Sequence, residues 1–132
     1  MQLLLKDNLP FTTVTLVYQG TRLDVQHVLV DTGSASTIFA ADVVAAIGIV
    51  PQLTDTLQTI QGVGGIEVVF TRLIDALYVE EHGLSAFEVE VGGMDYGFEI
   101  NGILGMDFLT QKGAVINLYD MRIEFVNKSA LD

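Results

Sequence analysis

Val28-Leu29-Val30-Asp31-Thr32-Gly33-Ser34-Ala35-Ser36-Thr37 is the stretch whose reading decides the fold. Apolar β-formers run straight into a carboxylate, a small hydroxyl residue and a glycine. A buried strand that ends on a charge is costly unless the charge is hydrogen-bonded or shared. The residues that follow supply the means: hydroxyls on Thr32, Ser34, Ser36 and Thr37, and a glycine at 33 that permits a tight turn and close backbone approach. The chain sets one well-supported carboxylate at the end of a core strand.

Working outward, Phe11 to Tyr18 alternates threonine with apolar residues, the period of a half-buried strand. Gln19-Gly20-Thr21 is a turn, and Arg22 to Val30 is a second strand, so a hairpin delivers Asp31. Thr37-Ile38-Phe39 reads as a brief strand. Ala41 to Ile47 reads as a helix of two turns, stopped by Gly48 and Pro51. The β-rich runs Thr54–Gln61 and Ile66–Leu73 flank a glycine-dense hairpin tip, Gly62-Val63-Gly64-Gly65.

Ile74 to Val79 continues extended, Glu80-Glu81-His82-Gly83 is a turn, and Ala86 to Val91 alternates cleanly. Ile100 to Gly105 is a short apolar strand between glycines. Met106 to Gln111 suits one or two helical turns, with Asp107 early, where a carboxylate favours a helix N-terminus. Ala114–Leu118 and Arg122–Val126 close the chain as a hairpin around Tyr119-Asp120-Met121. No linker, repeat or low-complexity tract interrupts this pattern. Residues 1–132 therefore read as a single, mostly antiparallel β domain with one or two short helices.

Composition narrows the function classes. Of the 132 residues, 50% are hydrophobic and 17% charged, enough for a real core and against disorder. Six basic against 17 acidic residues give a net charge of -11, which leaves no basic footprint for nucleic acid and disfavours anionic membranes. The acidity reads as a solubility device. The absence of cysteine excludes disulfides and thiolate metal sites and fits a reducing compartment. The apolar run in Met1–Asp7 is too short for a signal peptide and lacks a basic lead. No later stretch has the length of a membrane span. A soluble, unexported, cytoplasmic protein is expected.

Candidate chemistries fall away quickly. His27 and His82 lie far apart and, without cysteine, offer no ligand spacing for zinc; no metal and no cofactor is expected. His27 sits among strand residues and reads as a surface or satisfied core histidine. No Gly-x-Ser-x-Gly elbow occurs. The glycines at 62, 64 and 65 are not a nucleotide loop, because no helix follows them.

What remains is Asp31. An isolated aspartate is a poor general base at neutral pH, its ordinary pKa being ~3.9. Two carboxylates held together share a proton and become a coupled acid/base pair, the established behaviour of aspartic-protease dyads. This chain holds no second copy of the arrangement. Asp95-Tyr96-Gly97 has a bulky residue where the hydroxyl should be, and Asp107 is followed by Phe108 and Leu109. A twofold dimer that sets Asp31 beside its own copy is the economical source of the second carboxylate.

Three separated stretches resemble the retroviral-protease-like (retropepsin) branch of aspartic proteases, closer in length to its cellular and bacterial members. Val30-Asp31-Thr32-Gly33-Ser34-Ala35 resembles the catalytic turn. Ile60-Gln61-Gly62-Val63-Gly64-Gly65-Ile66 is similar to the tip of the flap that closes over bound peptide. Gly102-Ile103-Leu104-Gly105 is similar to the motif beneath the catalytic loop, and Leu109-Thr110-Gln111-Lys112-Gly113 to the family's C-terminal helix. Order and spacing agree over most of residues 11 to 126.

The resemblance implies an all-β, retropepsin-like acid-protease closed barrel of a single lobe with one or two short helices. It implies an aspartic endopeptidase acting as a homodimer on peptide or unfolded-protein substrates. Asp31 would be catalytic, Thr32 would hydrogen-bond across the dimer, and Gly33 would help hold the carboxylates coplanar. Ser34 of the catalytic turn would meet substrate, as would Gly62, Val63, Gly64 and Gly65 at the tip of a flap spanning about 56–72. Ile103, Leu104 and Gly105 would pack beneath the site.

One departure is a strand and tail at about 119–132 that the compact viral enzymes lack; they dimerise through interleaved terminal strands, so the contact here is expected to differ. The Ala-rich helix is a second departure. The alternative function is a catalytically silent peptide-binding or dimerisation module on the same fold.

Overall fold

The computed structural model describes residues 1–62, 65–94 and 99–126. Its strands are β1 (Leu4–Lys6), β2 (Leu9–Tyr18), β3 (Thr21–Val30), β4 (Ile38–Ala40), β5 (Gln58–Gly62), β6 (Gly65–Val79), β7 (His82–Gly92), β8 (Gly102–Leu104), β9 (Ala114–Asn117) and β10 (Arg122–Phe125). Its helices are α1 (Ala41–Val44), which tightens into a 3-10 turn over Ala45–Ile47, and α2 (Met106–Gln111).

The main sheet runs β1-β2-β3-β8-β4-β7-β6-β5, and a further pairing of β2 with β6 closes it. Six strands, β2, β3, β8, β4, β7 and β6, therefore form a closed all-β barrel of a single lobe, with β1 and β5 as appendages. Closure removes the exposed edges that an open sheet leaves. β2 makes it possible by offering one edge to two neighbours: Leu9–Phe11 pairs with β1, and Thr15–Val17 pairs with β6. Most pairs are antiparallel, as the hairpin spacing predicts. The exceptions are β3 with β8 and β4 with β7, both parallel, which thread β8 between β3 and β4.

Alternation puts Val14, Leu16 and Tyr18 of β2 into the core. They meet Val28 and Val30 of β3, Ile74 and Leu77 of β6, Val89 and Val91 of β7, and Leu104 of β8. Phe108 of α2 closes one end, edge-on to both Phe87 and Phe125 at 6.0 Å between centroids. The C-terminal pair β9–β10 is a separate two-stranded ladder. Along the far side of β10 runs the N-terminal segment, with the Met1 amino group and carbonyl exchanging hydrogen bonds with Ile123.

Several boundaries differ from the sequence expectation. The helix expected over Ala41–Ile47 is a single α turn followed by the 3-10 turn, ended by Gly48 at φ 88°. The strand expected from Thr54 starts at Gln58. The turn expected to reach Gly83 ends earlier, because His82 and Gly83 already pair with Val79 and Tyr78. Ile66–Leu73 and Ile74–Val79 are one strand, β6, which β7 accompanies from Val69 to Val79. From Ile66 to Val68 the recorded partner is β5, so this end of the hairpin leaves the barrel wall. The apolar N-terminal run contains β1, which residue pattern alone did not mark.

Ala86 adopts φ 51° within β7 with an exposed side chain. A left-handed backbone costs an L-residue about 1–2 kcal/mol, and glycine escapes that cost at some loss of chain entropy. Ala86→Gly is accordingly expected to raise the unfolding free energy by about 0.5–1 kcal/mol, read from the urea midpoint at unchanged m. No helix among the described residues is long and apolar enough to cross a membrane.

Candidate active site

The side chain of Asp31 owes its position to an irregularity upstream. Thr12 pairs with Val28 and Val14 with Val25, so β3 carries one residue more than β2 at Gln26-His27. His27 takes φ 57° there, and Asn101 secures the bulge through Asn101 N to His27 O (3.0 Å) and Asn101 Nδ2 to Gln26 O (2.9 Å). A bulge shifts the inside–outside phase of everything that follows. Before it the buried position is Val25; after it they are Val28 and Val30. Asp31 therefore falls on the outward phase, half-buried at the end of the strand, instead of pointing into the core.

Beyond Val30 the chain turns. Asp31 N donates to Leu104 O (3.1 Å), Ser34 N to Asp31 O (3.2 Å), and Gly33 N to Asp31 Oδ1 (2.8 Å). The carboxylate is thus held by the backbone of its own turn, and the two residues that follow it, Thr32 and Gly33, are exposed. Ser34 Oγ donates to Ser36 O (2.7 Å), so that hydroxyl is engaged within the loop.

The support comes from β8 and α2. Met106 N donates to Ser34 O (2.8 Å) and Asp107 N to Ala35 O (3.2 Å). Gly105 lies so close beneath the loop that a Cβ there would overlap the Ser36 carbonyl. A larger residue would push the Asp31 turn away from α2. Ile103 is half-buried and Leu104 fully buried, between β3 and β4. The residues from Asp31 to Ser34 and from Ile103 to Gly105 are therefore brought together. Gly62 and Gly65 form the last described rung of the β5–β6 hairpin, while Val63 and Gly64 lie outside the described residues. So does Asp95.

A contact between two groups that residue pattern did not connect does much of the fastening. Thr37 is fully buried; its Oγ1 donates to Asp107 Oδ1 (2.7 Å) and accepts from Gly105 N (3.0 Å), while its N–H donates to Asp107 Oδ2 (3.0 Å). Asp107, set aside above as a second catalytic carboxylate, is the buckle between the loop and α2. It also accepts from Phe108 N at 2.8 Å. The available signal was a hydroxyl residue, Thr37, heading a wholly apolar strand: once buried it needs a partner.

Removing Asp107 orphans a buried hydroxyl and a backbone N–H. Asp107→Ala is expected to cost about 1–3 kcal/mol in chemical denaturation. Adding Thr37→Val should cost less than the sum of the two single losses, since the Thr37–Asp107 bond is already gone and only the Gly105 N–H is newly left without its acceptor.

The histidines stand in other surroundings. His27 Nδ1 lies 3.2 Å from Glu99 Oε1, and the His82 ring packs on Phe125 with centroids 4.9 Å apart. Among the described residues no group of three or more His, Asp or Glu side chains is arranged to hold a metal ion.

With this geometry in place, comparison with known families gives one finding: residues 14–108, from β2 through the start of α2, match the family model described as aspartyl protease. The matched span contains the Asp31 turn, the β5–β6 hairpin and Gly102–Gly105, and stops before β9. No curated protein sequence matches the chain.

Proposed function

This chain belongs to the aspartyl protease family, of retropepsin type, and from that premise we propose that it is an aspartic endopeptidase whose active form is a homodimer, each copy contributing Asp31. One observation carries the reading. The Asp31 carboxylate ends a barrel strand on its outward phase, held through Oδ1 by Gly33 N–H, on a loop buckled to α2. A carboxylate so fixed, followed by the exposed Thr32 and Gly33, is suited to meeting its own copy across a twofold axis.

Paired in this way, the two carboxylates share a proton. The ionised one takes a proton from a water as its oxygen attacks the peptide carbonyl carbon. The protonated one gives its proton to the carbonyl oxygen. Collapse of the tetrahedral adduct returns that hydroxyl proton to the dyad and passes a proton to the leaving nitrogen, so the amide bond breaks and the dyad is restored.

Thr32 would stiffen the paired turns across the axis. The β5–β6 hairpin would serve as the flap, its glycine-rich end donating backbone hydrogen bonds to an extended peptide and shielding the reaction from water. Peptides or unfolded proteins are the proposed substrates, and a cysteine-free chain suits the reducing cytoplasm.

The test is hydrolysis of an unfolded protein and of a peptide library, with and without pepstatin, alongside sedimentation of the chain. Pepstatin-sensitive cleavage that vanishes in Asp31→Asn supports the reading. Binding of extended peptides without turnover would assign the chain to the silent module instead.

A further inference from the structure

The bulge at Gln26-His27 sets which way Asp31 faces, so whatever holds the bulge bears on the chemistry. His27 takes φ 57°, and a left-handed backbone at a non-glycine residue persists only where its surroundings hold it. The side-chain contacts of His27 are weak holds. The Phe11 ring stands edge-on to the imidazole with centroids 6.4 Å apart. Glu99 Oε1 lies 3.2 Å from His27 Nδ1, but the Glu99 side chain is 60% exposed, and ion pairs open to solvent hold little. Lys6 Nζ, 3.9 Å from Glu99 Oε2, draws on the same carboxylate. Asn101 grips the backbone itself, through its N–H to His27 O (3.0 Å) and its Nδ2 to Gln26 O (2.9 Å).

Asn101 can hold the bulge because it is itself held. Its carbonyl accepts from Ala40 N (3.0 Å) at the end of β4, and Ile100 beside it is buried. It thus reaches from β4 to the crest of the bulge, while Gly102–Leu104 pair in parallel with Val28–Val30. We propose that Asn101 is a positioning residue for the reaction: its side-chain amide fixes the bulge and, through it, the direction of the Asp31 carboxylate. The proposal rests on the protease reading above.

The two ties of Asn101 differ in what a substitution can reach. The backbone N–H survives a change of side chain; the Nδ2 bond does not. That bond is open to solvent, so water can replace its energy but not its geometry. Its loss should therefore cost little stability while freeing the left-handed turn at His27. Asp31 stands four residues further on, where a small rotation at the bulge becomes a displacement of the carboxylate. A reacting group misplaced by about 1 Å can cost as much as ~100-fold in rate. The shared titration of two carboxylates depends on their separation, so the pH profile should move as well.

The test uses Asn101→Ala and Asn101→Ser, whose side chains are too short to reach Gln26 O. Each should lower kcat about tenfold with KM within about twofold of wild type. The acid limb of kcat/KM should move by at least about 0.5 pH unit, which a loss of folded protein alone would not produce. His27→Gly adopts the left-handed turn without strain, so added to Asn101→Ala it should bring kcat back to within about threefold of wild type. Glu99→Gln is the control and should leave kcat near wild type. Amide exchange needs no substrate: it should quicken at least about fivefold at Asp31 and Gly33 and stay unchanged along β6 and β7.

Unchanged local exchange in both variants overturns the proposal, whatever the activity. So does a loss of kcat that comes with protection lost evenly across the barrel, or one that His27→Gly leaves uncorrected. A wild type that cleaves nothing, with exchange quickened only around Asp31, supports the hold of Asn101 on the Asp31 turn while the protease reading fails.

Discussion

Asp31→Asn is expected to lower kcat for peptide hydrolysis by at least about 10³-fold, with the fold and the dimer intact. Asparagine keeps the shape of the side chain and an oxygen to accept the Gly33 N–H, now 2.8 Å from Asp31 Oδ1. What it loses is the capacity to take and return a proton. Because each dimer would carry the change in both halves, no unaltered carboxylate remains to act alone.

The sharper form of this prediction uses mixtures. If each site needs an aspartate from both copies, an equimolar mixture allowed to exchange holds about a quarter of its dimers as wild-type pairs. Activity per total chain should then fall to about a quarter of the wild-type value. Independent monomeric sites would keep about half, and that result would sink the shared site even if Asp31→Asn alone were inactive. Circular dichroism and sedimentation on the same samples separate lost chemistry from lost structure.

Much of this architecture was legible because it rests on local rules. The alternation in Phe11–Tyr18, the Gln19-Gly20 turn and the glycines around 62–65 each specify a hairpin from neighbouring residues alone, and the ladders form where those rules put them. Pairings between distant segments were not legible. Nothing in Ile103-Leu104 announces that it lies between β3 and β4, parallel to one and antiparallel to the other. The N-terminal strand was missed for a different reason: Leu4-Leu5-Lys6 is too short for a period, although its partners Leu9–Phe11 follow at once through the two-residue turn Asp7-Asn8, both residues at positive φ. The Ala-rich segment looked helical by propensity, but only a turn of α-helix forms before the chain tightens and stops at Gly48.

The candidate site divides along the same line. Asp31 and Gly33 were legible as a turn, because that depends on residue type, whereas the close approach of Gly105 came only from the family resemblance. The bulge at Gln26-His27 was not legible, although it decides which way Asp31 faces. A one-residue change of phase leaves only a subtle trace: buried Val25 stands at an odd interval from Val28 and Val30. Asp107 was weighed only as a possible second copy of the Asp-Thr-Gly arrangement and set aside because Phe108 and Leu109 follow it. Its true partner, Thr37, lies 70 residues away in sequence.

Arg72 carries the second large expectation. Its guanidinium lies inside the barrel end of β6, 2.7 Å from Asp55 Oδ2, with side-chain exposures of only 8% and 10% for the pair. It also donates to Val50 O (2.9 Å) and the Tyr18 hydroxyl (3.3 Å), and sits 5.3 Å from the centre of the Phe70 ring. Asp55 in turn accepts from Gln52 N at 2.6 Å. The network pins the loop that leads into β5, and with it the base of the β5–β6 hairpin.

Taking away one partner strands a buried charge, so Arg72→Met and Asp55→Leu should each cost about 3–5 kcal/mol in denaturant unfolding. The double variant should recover much of that loss, because two apolar side chains of similar volume need no desolvation of ions. Losses that simply add in the double variant would show that the two groups act separately and would defeat the clamp. If the hairpin is the flap, the double variant separates stability from function. Near-native unfolding with a raised KM would show that the ion pair sets where the hairpin stands over the substrate, beyond holding the barrel together.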